Sequence, residues 1–262
     1  MARRLAIPLL ALLVASPGVA SDPAESEGAV PPEAVIGVVP FEPQGFSNRV
    51  FVNLAPEGNR PFVWMLDTGA QGSVMTPLAA RAAGVSVRRT KSSPYVRKTR
   101  LGRSVRFWVD TRRRDTGSRT GFEYGVLGGD FLEEYVVEID FPNRVVRFLD
   151  PKRYEVPKTI SGDGERVLPM RVKARRPFVE VEIGEKTTQV LLDTGAFDNL
   201  ILSGRAARKL GIDWKSLPDF GSFGSMVGPV EVRLHESDVF RFAGFQFGTT
   251  DSSGAAVSLG TS

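Results

Sequence analysis

The sequence predicts an all-β fold built as two related lobes that face each other across a cleft, with a few short helices. Three observations lead there. Short β-type runs alternate with turn residues along most of the chain, helical signals are few, and one motif with its flanks occurs twice. Phe62-Val-Trp-Met-Leu-Asp-Thr-Gly-Ala70 is matched by Thr188-Gln-Val-Leu-Leu-Asp-Thr-Gly-Ala196, so that Asp67 and Asp193 stand 126 residues apart. Repetition with matched flanks is the mark of a duplicated structural unit.

The elements follow in order. Arg3 and Arg4 precede an apolar run from Leu5 to Val14, and Gly18-Val19-Ala20 supplies small residues before a cleavage point. That is the pattern of a secretory signal peptide over residues 1–20. The run is too short to span a bilayer by itself, so no stable membrane insertion is expected after cleavage. Residues 21–34 hold three prolines and four acids and read as a flexible leader.

Lobe one is expected over 35–155. Val35–Val39, Arg49–Leu54 and Pro61–Leu66 read as strands, the last two joined through Pro56-Glu57-Gly58-Asn59. A helix is expected over Pro77–Ala83, stopped at Gly84. Val126-Leu127-Gly128-Gly129-Asp130-Phe131-Leu132 leads from an apolar strand into a short helix. Strands at Tyr135–Asp140 and Val145–Leu149 then flank the turn Phe141–Arg144.

Lobe two, 156–262, repeats the hairpin as Phe178–Ile183 with Gln189–Leu192, and the helix as Gly204–Leu210, stopped at Gly211. The spacing from motif to helix differs between the copies by one residue. Gly221–Ser225 is either a reduced flap or a plain loop. Lobe one continues about twenty residues past Gly128, whereas Val257-Ser258-Leu259-Gly260 stands at the chain terminus. Lobe two is therefore expected to be truncated.

Composition narrows the chemistry. There is no cysteine, hence no disulfide, thiolate metal site or cysteine nucleophile, and His235 is the single histidine. Metal sites built from several histidines are excluded, and neither a metal nor a cofactor is expected. Removing Arg3 and Arg4 leaves 32 basic against 30 acidic residues, a charge of +2, which is no argument for nucleic acid. The twelve Lys/Arg between Arg88 and Arg119 have only Tyr95, Phe107 and Trp108 among them, too few and too bunched for a base-stacking platform, so nucleic acid is not an expected partner. They read as a solvated face or as an attraction for anionic partners. A third Asp-Thr-Gly, at Asp115, follows Arg112-Arg113-Arg114 with no apolar lead-in and reads as a polar turn.

The duplicated motif suits carboxylate chemistry. An apolar strand delivers the aspartate, the threonine hydroxyl can fix the turn, and glycine admits a second backbone closely. Two such loops together place two carboxylates side by side. They then share one proton, and serve as base toward water and acid toward a carbonyl oxygen.

With both motifs in hand, residues 35–262 resemble the retropepsin-like and pepsin-like aspartic proteases, in a bacterial form with both lobes on one chain. The resemblance implies Asp67 and Asp193 as the catalytic pair. Thr68, Gly69, Thr194 and Gly195 would brace the two loops. Leu127-Gly128, and Leu259-Gly260 in lobe two, would form the strand that supports each loop. It also implies a flap in the Arg88–Arg119 region, where Tyr95 is an aromatic candidate. The expected activity is exported endopeptidase, periplasmic or secreted, acting on a peptide or protein. Two alternatives stay open: a non-catalytic peptide-binding module with an incomplete second lobe, and an enzyme formed only as a homodimer of lobe one.

Overall fold

The structure, a computed structural model, describes residues 30–42, 49–55, 62–75, 81, 107–109, 125–157, 167–196, 200–225, 228–236, 239–242, 245–248 and 256–260. The signal-peptide segment, most of the Pro77–Ala83 helix, Tyr95, Asp115 and most of the basic segment lie outside these residues.

The described chain is β-sheet with two short α-helices, as the alternating runs and turn residues imply. It divides into two compact units. The first holds residues up to Val167 with Val172–Pro177 and Leu192–Gly195; the second holds Leu168–Arg171, Phe178–Leu191 and Ala196–Ser262. The Asp193 loop thus belongs to the unit that carries Asp67.

The first unit is one eight-stranded sheet. Its strands are β1 (Val35–Glu42), β2 (Phe51–Leu54), β3 (Phe62–Leu66), β4 (Ser73–Met75), β5 (Phe107–Val109), β6 (Gly125–Leu127), β7 (Val136–Asp140) and β8 (Val145–Leu149), ordered β5-β4-β6-β3-β2-β1-β8-β7. β2 and β3 form the expected antiparallel hairpin, with Phe51 opposite Met65 and Leu54 opposite Phe62. β6 lies parallel to β3 and antiparallel to β4, and so wedges between the strands on either side of Asp67. Helix α1 (Gly129–Leu132) follows it.

The core explains why these strands hold. Val52, Leu54, Trp64, Leu66, Leu127 and Phe148 are all nearly or fully buried. Trp64 spends its one polar atom on a hydrogen bond from Nε1 to Leu54 O at 3.2 Å. Gly125 lies flat against the Trp64 ring, where a Cβ would overlap it. Phe131, Tyr135 and Phe148 meet with centroids 5.2–5.5 Å apart, within the favourable range for aromatic pairs.

The leader ends earlier than the sequence suggests. Pro32–Ala34 form a 3-10 turn, Ala34 is fully buried, and its carbonyl accepts from Asp150 N at 2.8 Å. Two prolines fix φ there, so the segment packs although its composition is polar.

β10 (Arg176–Ile183), which enters the second unit at Phe178, and β11 (Lys186–Leu191) form the repeated hairpin, with Phe178 opposite Leu191. β15 (Val239–Phe242) and β16 (Phe245–Gly248) extend that sheet, and β9 (Arg171–Lys173) pairs with β10. The β9–β10 turn uses Ala174 and Arg175 at φ of 50° and 63°, the left-handed pair that a two-residue hairpin requires. A separate sheet contains β12 (Leu200–Ser203), β17 (Ala256–Gly260), β14 (Gly228–Glu236) and β13 (Asp219–Ser225), in that order. The Gly221–Ser225 stretch is therefore a strand of the β13–β14 hairpin rather than a plain loop. Helix α2 (Gly204–Leu210) starts on the Ser203 hydroxyl, which accepts from Ala206 N, and stops on Gly211 at φ 84°, the left-handed conformation glycine allows.

Candidate active site

Asp67 is the first residue beyond β3, and the buried Trp64, Met65 and Leu66 fix where that strand ends. Its N–H donates to Leu127 O at 3.0 Å, which continues the β3–β6 ladder by one residue. Asp67 Oδ1 accepts from Ala70 N at 2.8 Å, and Asp193 Oδ1 accepts from Gly195 N at 2.8 Å. The approaches to the two loops match: Leu66 N donates to Val50 O and Leu192 N to Pro177 O, both at 2.9 Å.

The threonines join the loops reciprocally. Thr194 N donates to Thr68 Oγ1 at 3.0 Å, and Thr68 N to Thr194 Oγ1 at 3.2 Å. Each hydroxyl then donates across to the other loop, Thr68 to Leu192 O at 2.5 Å and Thr194 to Leu66 O at 2.7 Å. Each threonine thereby uses its hydroxyl as both donor and acceptor. Thr68 is one of the two fully polar side chains that are buried in the chain's described part, and Ser73 is the other.

The glycines set the approach distance. A Cβ on Gly195 would lie 2.5 Å from Asp67 Cγ, and one on Gly69 would lie 2.5 Å from Asp193 Cγ. Each glycine therefore faces the opposite carboxylate, with no room for a methyl group. Gly195→Ala and Gly69→Ala should each lower stability by about 1–3 kcal/mol and pull the loops apart. Thermal unfolding checks this, and a wild-type melting temperature in both variants would contradict it.

Burial raises the Asp67 carboxyl from 3.8 to about 6, the Asp193 charge adds to the rise, and the Ala70 and Gly69 N–H groups oppose it. Asp193 is close enough to share a hydrogen bond with it. Asp67 is thus held protonated well above the ordinary carboxylate range.

Leu127 and Gly128 stand where the sequence puts them, behind the Asp67 loop. Gly129 N donates to Ala70 O at 2.8 Å, and a Cβ on Gly128 would come 2.7 Å from the Gly72 backbone. Leu259 and Gly260 do not repeat this arrangement. Their strand β17 pairs in parallel with β12, Leu202 opposite Leu259 and Ser203 opposite Gly260. That is the relation β5 has to β4, with Val74 opposite Trp108. β17 is not paired with β11, the strand leading to Asp193. The supporting role expected for Leu259-Gly260 is corrected accordingly: β17 is the counterpart of β5, not of β6.

Two residues escaped the sequence reading. Asp130 Oδ1 accepts from Ser73 N at 2.8 Å and from Ser73 Oγ at 2.6 Å. The faint signal was a serine opening an apolar strand six residues after Asp67. Among the described residues no cluster of three or more His, Asp or Glu side chains could hold a metal ion, and no helix is long and apolar enough to cross a membrane.

No family model and no curated protein matches the chain. Among solved structures it is similar to a retropepsin-like aspartic protease from Rickettsia conorii, at 17% identity and a TM-score of 0.32, over 37% of this chain and 76% of that one.

Proposed function

We propose that this chain is an aspartic endopeptidase of the retropepsin-like type, which hydrolyses peptide bonds with water activated between Asp67 and Asp193. The reading rests on one observation above the others. Two Asp-Thr-Gly loops are locked by reciprocal threonine bonds with their carboxyls side by side, one of them held protonated to about pH 6.

The chemistry needs no group from outside the chain. The ionised carboxylate takes a proton from water as its oxygen attacks the peptide carbonyl carbon, and the protonated one gives its proton to the carbonyl oxygen. The resulting gem-diol collapses as one hydroxyl returns its proton to a carboxylate and the leaving nitrogen is protonated. The products are an acid and an amine, and the pair again holds one proton. The substrate would lie extended over the carboxylates, held through its backbone. The signal-like residues 1–20 put this activity after export, in the periplasm or outside the cell.

A second reading has its own support. β17 does not give the Asp193 loop what β6 gives the Asp67 loop, which favours a peptide-binding module without turnover. A homodimer of lobe one is less favoured, because Asp67 meets Asp193 of its own chain.

The test is cleavage of an unfolded, non-specific protein from about pH 3 to pH 7, with Asp193→Asn beside the wild type. Cleavage that declines as pH rises through about 6 and falls about 10³-fold or more in the variant is the expected result. A folded wild type that binds peptide without cutting it would give the binding module the stronger claim.

A further inference from the structure

We propose that Asp130 is a positioning residue for Asp67, acting through Ser73; the role it would serve in turnover rests on the endopeptidase reading above. Asp130 stands in α1, next to β6, and Ser73 opens β4 at the far end of the Asp67 loop. One carboxylate oxygen of Asp130 takes both the Ser73 N–H, at 2.8 Å, and the Ser73 hydroxyl, at 2.6 Å. The Ser73 oxygen in turn accepts from Gly128 N at 3.1 Å. Ser73 is fully buried, so water cannot replace these partners if they are lost.

The loop is thereby clamped at both ends onto the same segment. Asp67 N holds Leu127 O at one end, Ser73 holds Asp130 at the other, and Gly129 N holds Ala70 O between them. Ala70 is the link to the site, since its carbonyl is fixed by Gly129 and its N–H points at Asp67 Oδ1. Releasing Ser73 slackens the far side of this clamp. The Ala70 N–H bond favours the ionised form of Asp67, and weakening it favours the protonated form. Catalytic geometry is sensitive to displacements on the order of 1 Å, which cost about 100-fold in rate.

Charge and position are separable here. Asp130→Asn removes the negative charge but keeps an oxygen that can accept from Ser73, whereas Asp130→Ala removes both. If Asp130 acted on Asp67 through its charge, both variants would lower the Asp67 midpoint. If it acts by position, Asp130→Ala raises the midpoint and Asp130→Asn leaves it in place. The titratable group that faces Asp67 is Asp193, and it is unchanged in either variant.

The experiment is a carboxyl-carbon NMR titration of Asp67 in full-length wild type, Asp130→Ala and Asp130→Asn, with kcat and KM on a peptide substrate measured in parallel. The expected result is a raised midpoint and a kcat lowered about 10- to 100-fold in Asp130→Ala, with KM within a few-fold and Asp130→Asn close to wild type. An unmoved midpoint and kcat in a folded Asp130→Ala, or equal shifts in both variants, would overturn the proposal. If Asp130→Ala does not fold, Ser73→Ala removes the hydroxyl alone and should move the midpoint in the same direction by less; no movement there would overturn it too. A wild type that cleaves nothing would refute the endopeptidase reading, while the titration would still decide whether Asp130 positions Asp67.

Discussion

Asp67→Asn should make the protein more stable at neutral pH while removing the proposed activity. The sign follows from linkage. The folded-state pKa of Asp67 is raised from 3.8 to about 6 by burial and by Asp193. The folded state therefore binds this proton more tightly than the unfolded chain does. The stabilisation it confers is complete below about pH 3.8 and is lost as pH rises through 6. The span between those values corresponds to about 3 kcal/mol, which the wild type forgoes at pH 7 relative to acid. Asparagine carries no charge at any pH. Its side-chain oxygen can still accept from Ala70 N, and its amide can donate to Asp193. Denaturant unfolding at pH 4 and at pH 7 should show near-equal stability at the lower pH and a gain of up to about 3 kcal/mol for the variant at the higher. A gain that does not change with pH, or a loss at pH 7, would show that the two carboxyls are not coupled as described.

Thr68→Val is the complementary case, in which shape is kept and hydrogen bonds are removed. Valine matches threonine closely in volume but offers no hydroxyl. Leu192 O loses its donor and Thr194 N its acceptor, at a site where Thr68 is 4% exposed. A fully buried group left unsatisfied costs about 1–3 kcal/mol; Leu192 and Thr194 are half-buried, so the two losses together should destabilise the variant by about 1–3 kcal/mol. A double-mutant cycle with Thr194→Val isolates the reciprocal part. The two substitutions remove different bonds, Thr68→Val those to Leu192 O and Thr194 N and Thr194→Val those to Leu66 O and Thr68 N, but both release the same pair of loops, so the second should cost less once the first has let them part. Additive losses would mean that the two threonines act independently, contrary to the geometry.

The sequence made the site's first layer legible because duplication carries its own control. Two Asp-Thr-Gly-Ala motifs with apolar lead-ins and matching Ala/Arg runs behind them are hard to obtain except as two copies of one loop. The hairpins and the glycine stop of α2 followed from turn chemistry. Other features depend on pairings that spacing cannot reveal. Leu259-Gly260 had the right residues at nearly the right distance from Asp193, yet distance along a chain does not say which neighbour a strand will adopt. Only the parallel register with β12 shows β17 to be the counterpart of β5. Ser73 and Asp130 lie 57 residues apart, and neither looks unusual until β6 brings them together. Ala34 was hidden by its polar neighbours, since composition averages over a segment and a single buried alanine is lost in the mean.

The four threonine bonds tie residues separated by 124 to 128 positions. Seen as a matter of timing, the carboxylate pair belongs to the last stage of the chain's history. A nascent polypeptide that has grown only as far as β8 can form the β2–β3 hairpin and present Asp67, but the residue that would hold its proton in common is not yet made. Closing so long a loop is slow compared with forming a hairpin. In the unfinished chain Asp67 lacks the part of its shift that Asp193 supplies, and the paired titration arises only when the second Asp-Thr-Gly loop docks.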